Sequence, residues 1–198
     1  MTVKEVRAWF LAWATVCIDE KQYISDLDNA IGDGDHGFNM AKAFSFYIEK
    51  TQQQEPVSLQ DEFKSLAMIL MSKVGGTAGP IYGSAFLTMS KNLVDIEEMD
   101  DEVFAGIVEK GLESIQLRGK AQVGEKTLVD VWYPVVNALK EKSLTTENID
   151  EFVNATIPLL ATKGRASYLG ERSIGHIDPG SYTSGLLFKT YLATKGQE

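Results

Sequence analysis

The sequence is poor in cysteine and has no long apolar run. Cys17 is the only cysteine among 198 residues, so no disulfide can form within the chain. It falls in an apolar helical stretch, which predicts a buried, unreactive thiol and fits a reducing compartment. No stretch approaches the roughly 20 apolar residues that would cross a membrane, and the first residues resemble neither a signal peptide nor an anchor. We therefore expect a cytoplasmic protein with no membrane insertion.

Positive charge is also scarce. Lysine and arginine total 19 against 28 aspartates and glutamates, which gives a formal net charge of −9. Because a nucleic-acid backbone requires a basic face, we expect no nucleic-acid binding. An acidic protein can still bind a small phosphorylated ligand if metal ions screen its charge. The length and the 24% charged content predict one compact domain over residues 1–198.

Strand signals are almost absent, whereas apolar residues recur at helical spacing nearly throughout. Eight such stripes cover residues 3–17, 40–48, 63–74, 81–93, 103–115, 128–139, 149–160 and 182–191. Pro134 and Pro158 are expected to disturb their stripes locally. The pattern predicts an all-α, single-domain protein of about eight helices.

Glycine is concentrated in four junctions between these stripes, at residues 32–37, 75–83, 119–124 and 164–185. Four glycine-rich junctions in one helical domain predict that the loops gather at one end of a bundle.

The first junction is acidic and reads D-N-A-I-G-D-G-D from Asp28 to Asp35. Its glycines allow a tight turn that can aim Asp28, Asp33 and Asp35 at one point. Converging carboxylates with no cysteine favour a hard cation such as Mg²⁺ or Ca²⁺. The spacing excludes an EF-hand, since Phe44 stands where a bidentate glutamate is required, and no strand leads in as in an aspartyl-nucleophile phosphatase. A solvated turn that caps the next helix stays the alternative.

The other junctions offer groups that suit phosphate. Gly75, Gly76 and Gly79 allow backbone amides to face an anion, with the Thr77 hydroxyl beside them, although no lysine completes a P-loop. A tight turn between packed helices is the equally weighted alternative. Arg165 follows an apolar stripe, and its forked donors suit phosphoryl oxygens.

Only two histidines exist, His36 and His176. A metal-ligand role for either is disfavoured, because the carboxylates select an ion that prefers oxygen. His36 is instead a candidate for a hydrogen bond to phosphate. Asp178-Pro179-Gly180 reads as a turn first and as a ligand contact second.

Four segments together resemble a known family: I-G-D-G-D-H-G-x-N-M, G-G-T-A-G-P-I-Y-G-S-A-F, R-G-K-A-Q-V-G-E-K-T and K-G-R-A-S-Y-L-G-E-R-S-I-G-H-I-D-P-G. They are similar to the nucleotide-binding L subunit of bacterial dihydroxyacetone kinase, over essentially the whole chain. The resemblance implies a barrel of eight antiparallel helices with nucleotide at one end.

The resemblance also implies the site. Two Mg²⁺ ions would be held by the aspartates at Asp28, Asp33 and Asp35. An ADP or ATP cofactor would be bound by residues from all four segments, with the catalytic arginine among them: His36, Gly37, Phe38, Asn39, Thr77, Ala78, Gly119, Leu128, Arg165, Asp178, Pro179 and Gly180. Of these, Gly119 and Leu128 would form the adenine site.

The chain is too short to include a fused dihydroxyacetone-binding domain, so it resembles the stand-alone subunit of the phosphoenolpyruvate-dependent system. In that system a phosphohistidine of an M subunit recharges bound ADP to ATP. The γ-phosphoryl then passes to dihydroxyacetone on a K subunit. Two other functions stay open: a nucleotide-loaded regulatory module that acts on a partner such as a transcription factor, and a free-standing kinase for a small alcohol.

Overall fold

The computed structural model describes residues 1–196, and these contain helices and no strands. The all-α prediction is confirmed. Nine α-helices and one 3₁₀ segment follow in order: α1 Val3–Asp19, α2 Lys21–Ile31, α3 His36–Gln53, α4 Leu59–Lys73, α5 Ala78–Lys91, α6 Asp101–Gly119, α7 Val129–Lys140, α8 Thr146–Asn154, the 3₁₀ segment Arg165–Ser173 and α9 Pro179–Thr194.

Eight of the helices form a closed ring. Helix α1 packs against α3, and the ring continues through α4, α5, α6 and α7 to α8 and α9, which return to α1. Short connections join most neighbours, so consecutive ring helices run antiparallel. The ninth helix, α2, lies outside the ring against α3, α9 and the 3₁₀ segment.

The eight predicted helices correspond to the eight helices of the ring, whereas the sequence did not predict α2 or the 3₁₀ segment. Helix α2 has only 11 residues, and two of the four it buries, Ser25 and Asp28, are polar. Its apolar stripe is therefore too weak to show at helical spacing. The seventh predicted helix ends at Asn154 rather than near Leu160, ahead of Pro158. Pro134 lies inside α7, five positions from its first residue.

Aromatic side chains fill the centre of the ring. Trp9, Phe10 and Trp13 of α1 are fully buried and pack against rings from α3, α4, α5 and α9. Most of these pairs meet edge to face, the arrangement that aromatic quadrupoles favour. Cys17 lies in the same core, and its burial raises the pKa of the thiol, as expected for an unreactive cysteine.

Side-chain caps mark several helix starts. Thr2 and Thr145 make capping boxes, and Ser58 and Asp100 accept amide protons at the starts of α4 and α6. Helix α5 has no such side-chain cap. None of the helices in residues 1–196 combines the length and the apolar character needed to cross a membrane.

Candidate functional site

A cavity of about 850 Å³ opens at the end of the ring where α3, α5, α7 and α9 begin. All four glycine-rich junctions contribute to its wall, through Gly32, Gly75, Gly119 and Gly164 among others. The predicted gathering of these junctions at one end is therefore confirmed. Helix N-termini carry partial positive charge, so four of them facing one cavity favour an anionic ligand in an otherwise acidic protein.

Three carboxylates converge on this cavity. One oxygen from each of Asp28, Asp33 and Asp35 lies within 4.8 Å of the others. Asp28 is buried near the end of α2, and its Oδ2 accepts the amide protons of Asp35 at 2.9 Å and His36 at 3.1 Å. Asp28 therefore caps α3 with one oxygen and keeps Oδ1 for a ligand. An all-oxygen, triply charged donor set fits Mg²⁺.

Two glycines make this convergence possible. A Cβ on Gly32 would lie 2.2 Å from Asp28 Oδ1, so a side chain there would displace the carboxylate. Gly34 adopts φ 76°, in the left-handed region that glycine enters without strain. The chain can thus leave α2, turn back and start α3 within four residues.

The start of α5 forms a second, uncharged part of the wall. Thr77 and Ala78 line the cavity together with Gly75 and Gly76, and Gly76 has φ 65°. Because no side chain caps α5 within the described residues, its first amides are available to a ligand. One turn further, Ile81 lines the cavity beside Gly119. A Cβ added to Gly119 would lie 3.6 Å from Ile81 Cδ1.

A further part of the wall is apolar. Ile115, Ala121 and Leu128 join Ile81 in lining the cavity. Gly180 approaches Leu128 closely: a Cβ added to Gly180 would lie 3.7 Å from Leu128 Cβ. An apolar surface beside amides and carboxylates is the combination that a nucleotide requires, since its base is flat and apolar and its phosphates are charged.

The first four residues of the 3₁₀ segment, Arg165 to Tyr168, line the cavity. The segment follows Gly164, which has φ 61°, and it is kinked at Gly170, which has φ 58°. Arg165 begins the segment and pairs with Asp33, with 2.9 Å between Nη2 and Oδ2, although the arginine side chain is 67% exposed. The guanidinium therefore already lies at the carboxylate cluster, within reach of anything bound there.

Lys126 lines the cavity and binds three backbone carbonyls. It is 1% exposed, and its Nζ donates to the carbonyls of Thr156 at 2.6 Å, Ile157 at 3.2 Å and His176. Burial lowers the pKa of its ammonium. Burial likewise raises the pKa of Asp178 to about 6. Asp178 also caps α9 by accepting the Ser181 amide proton at 2.6 Å.

His36 lies at the start of α3, where its side chain lines the cavity. Its Nε2 is 3.1 Å from Thr183 Oγ1, and burial lowers the pKa of the imidazole to about 4. The ring is therefore neutral near pH 7 and does not add a positive charge to the site. It can still donate one proton to an anion.

Most of the predicted site residues line the cavity: Asp28, Asp33, Asp35, His36, Thr77, Ala78, Gly119, Leu128, Arg165, Asp178, Pro179 and Gly180. Gly37, Phe38 and Asn39 do not line it. Gly37 packs against α2, where a Cβ would lie 2.0 Å from the Lys21 carbonyl, and Phe38 is half exposed. Asn39 lies behind Gly75. A nucleotide contact by these three residues stays a prediction.

Sequence reasoning assigned no role to Lys126, which lines the cavity, or to Tyr182 and Thr183, which do not line it. Lys126 was visible only as part of a glycine-rich segment, and its three carbonyl partners are at least 30 positions away in the chain. Thr183 reaches His36 across 147 positions. Tyr182 donates a hydrogen bond of 2.6 Å to Glu20. No local pattern reports contacts of this range.

Comparisons with known proteins agree with this geometry. Residues 30–193 match the DAK2 domain. The chain is 54% identical over 177 residues to the "PEP-dependent dihydroxyacetone kinase 1, ADP-binding subunit DhaL" of Listeria innocua, covering 89% of each chain. It is 48% identical over 192 residues to the "PTS-dependent dihydroxyacetone kinase, ADP-binding subunit DhaL" of Lactococcus lactis, covering 97% of each.

A solved structure shares the fold. The dihydroxyacetone kinase of C. freundii, crystallised with AMP-PNP and Mg²⁺, superposes with a TM-score of 0.74 at 22% identity, over 96% of this chain and 34% of that one. The match supports the helical ring as the family's architecture. About half of the residues are identical to those of these two relatives over nearly the full length of the chain. The chain therefore belongs to the family of ADP-binding subunits of dihydroxyacetone kinases, which are phosphotransferase components.

Proposed function

We propose that the cavity binds ADP or ATP with Mg²⁺ and that the chain is the nucleotide-carrying subunit of a phosphoenolpyruvate-dependent dihydroxyacetone kinase. One observation carries the proposal: the carboxylates of Asp28, Asp33 and Asp35 share a cavity with the uncapped start of α5 and an apolar wall. Carboxylates, free amides and an apolar wall match metal, phosphate and base respectively. The names of the relatives in Listeria and Lactococcus support the same ligand.

The phosphates would lie between the carboxylates and α5. The amides near Thr77 and Ala78 and the positive end of that helix bind the phosphate oxygens. His36 adds a neutral N–H donor, and Gly37, Phe38 and Asn39 belong to the same helix start. Gly119 and Leu128 would hold the base, and Asp178, Pro179 and Gly180 line the same cavity.

Asp28, Asp33 and Asp35 hold the metal, with two ions proposed. When bound, Mg²⁺ offsets the negative charge on the phosphates and on the three aspartates. Asp28 keeps its position because it caps α3 at the same time. Arg165 pairs with Asp33. Its remaining donors would bind the transferred phosphoryl group and stabilise the charge that develops there.

The nucleotide is a phosphoryl carrier in this proposal. A phosphohistidine of an M subunit transfers its phosphoryl group to ADP, which regenerates histidine and forms ATP. The γ-phosphoryl group then passes to a hydroxyl of dihydroxyacetone on a K subunit, which yields dihydroxyacetone phosphate and ADP. We further propose that residues 1–198 form one domain and act in the cytoplasm.

A reconstitution tests the function. The purified chain with ADP and Mg²⁺ is combined with K and M subunits, the phosphocarrier proteins and phosphoenolpyruvate, and dihydroxyacetone phosphate is measured. We expect turnover that is lost without either partner. If an L subunit of known activity succeeds where this chain fails, the proposed function is wrong. Turnover with ATP in the absence of the K subunit would indicate a free-standing kinase instead.

A further inference from the structure

A chain of buried hydrogen bonds runs beneath the cavity and ends at His36. Trp132 Nε1 lies 3.0 Å from Ser184 Oγ, which lies 2.6 Å from the Tyr82 hydroxyl. Tyr82 lies 2.9 Å from Thr183 Oγ1, and Thr183 lies 3.1 Å from His36 Nε2. All five residues are at most 7% exposed. Three helices of the ring, α5, α7 and α9, thus meet the start of α3 through polar groups in an otherwise apolar core.

The first bond of this chain has a fixed direction. An indole N–H can only donate, so Ser184 Oγ accepts from Trp132. In the next pair either hydroxyl can be the donor; we take Ser184 to donate to Tyr82, which frees the Tyr82 proton for a further bond. Tyr82 then donates to Thr183 or to the Gly180 carbonyl, which is 3.0 Å away. Thr183 Oγ1 also lies 3.2 Å from the carbonyls of Pro179 and Gly180. Those carbonyls can accept amide protons of α9 instead, whereas His36 Nε2 has no other partner among residues 1–196.

The second ring nitrogen of His36, Nδ1, is not sealed inside the core. Nδ1 makes no hydrogen bond within residues 1–196, yet no buried side-chain nitrogen or oxygen there lacks a partner. Nδ1 must therefore reach open space, and His36 borders the cavity. A lone pair on Nδ1 would repel phosphate oxygens, whereas a proton on Nδ1 would bind them.

We propose that Thr183 is a positioning residue: its hydroxyl, oriented by Tyr82 and Ser184, donates to His36 Nε2 and so keeps the proton on Nδ1, directed at the phosphates. The inference rests on the proposed nucleotide site. Neutral imidazole exists as two tautomers, and the one present depends on the bond that the other nitrogen makes. The Trp132–His36 chain would select the tautomer that donates into the cavity.

Two substitutions at one position separate the hydroxyl from the shape of the side chain. Thr183→Val keeps the volume and removes the hydroxyl, whereas Thr183→Ser keeps the hydroxyl. Thr190→Val is the matched control, because Thr190 lies two turns further along α9 and its hydroxyl contacts only α9 carbonyls, those of Leu186 and Leu187, at 2.9 Å. Equal unfolding midpoints by circular dichroism establish that each variant folds; if Thr183→Val does not, Tyr82→Phe replaces it.

The tautomer is read from nitrogen-15 shifts of the two histidine rings at pH 8 in ligand-free protein, with His176→Gln assigning the second ring. We expect a protonated Nδ1 on His36 in the wild type, Thr183→Ser and Thr190→Val. In Thr183→Val we expect a mixture or the reversed tautomer. A protonated Nε2 in the wild type, or the wild-type pattern in Thr183→Val, would overturn the proposal.

Affinity for Mg²⁺·ADP supplies the functional readout. We expect Thr183→Val to raise Kd about tenfold, the loss of one hydrogen bond to a charged group, with the serine variant and the Thr190 control near wild type. Unchanged affinity in Thr183→Val would reject the positioning role. If the wild type binds no nucleotide, the proposed function fails, and the tautomer measurement in ligand-free protein still decides whether the hydrogen-bond chain selects the Nδ1 proton.

Discussion

The absence of a side chain at Gly32 places the Asp28 carboxylate, and Gly32→Ala tests that link. The added Cβ would lie 2.2 Å from Asp28 Oδ1 and 2.9 Å from the Asp28 carbonyl, closer than real Cβ contacts allow. The carboxylate must move, which disturbs its bonds to the amides of Asp35 and His36. Overpacking and a weakened helix cap together should lower the free energy of unfolding by about 2–3 kcal/mol. The Kd for Mg²⁺·ADP should rise at least about tenfold, because Oδ1 is the oxygen left for the ion.

Urea unfolding without metal, followed by the fluorescence of the three tryptophans, measures the first effect, and calorimetric titration measures the second. Gly106→Ala is the control. Gly106 lies inside α6 with no atom within 4 Å of its Cβ position, so alanine there should stabilise the protein by about 0.5–1 kcal/mol. If Gly32→Ala matches the wild type in unfolding free energy and in affinity, Gly32 does not place Asp28 and the account of this turn is wrong.

Three further variants test the rest of the cavity. Lys126→Met should lose about 2–4 kcal/mol of unfolding free energy, because three carbonyls lose their donor. Lys110→Met, at an exposed ion pair, is the control and should unfold in urea as the wild type does. Equal losses in the two variants would reject the role of Lys126. Burial raises the folded pKa of Asp178 from 3.8 to about 6, so its contribution to stability is complete below pH 3.8 and is lost as the pH rises through 6. Asp178→Asn keeps the cap and should remove this decline of up to about 3 kcal/mol, and a wild-type pH profile in that variant would contradict the assignment. Arg165→Ala should abolish phosphoryl transfer in the reconstituted system while changing the unfolding free energy by less than about 0.5 kcal/mol, and a folded variant with normal turnover would show that Arg165 is only a surface charge.

The sequence predicted those parts of the structure that local pattern encodes. Apolar spacing was enough for the helices that bury a continuous face, such as α1 with Val6, Trp9 and Trp13. Apolar spacing did not predict α2, because two of the residues that this helix buries, Ser25 and Asp28, are polar. The helix that was missed is thus the one that presents a predicted metal ligand.

The features of the site also fall into two groups, those that local sequence predicts and those that depend on the fold. Glycine-rich junctions and the acidic triad are local signals, and the structure brings them to one cavity as expected. The contacts of Arg165 with Asp33 and of Thr183 with His36 span more than 100 positions and depend on how the ring closes. Residue type alone indicates that arginine suits phosphate, but only the fold shows that its guanidinium already lies beside a carboxylate of the triad.

The central claim is that the three aspartates hold the metal through which the cavity binds a nucleotide. Calorimetric titration of ADP with and without Mg²⁺, on the wild type and on Asp35→Asn, tests it most directly. Asp35 is exposed, so the substitution removes one carboxylate charge from the cluster without removing core packing. The account predicts saturable binding to the wild type that requires Mg²⁺ and is weakened at least about tenfold in Asp35→Asn. Equal ADP binding in the presence of EDTA, or undiminished Mg²⁺-dependent binding in Asp35→Asn, would contradict it.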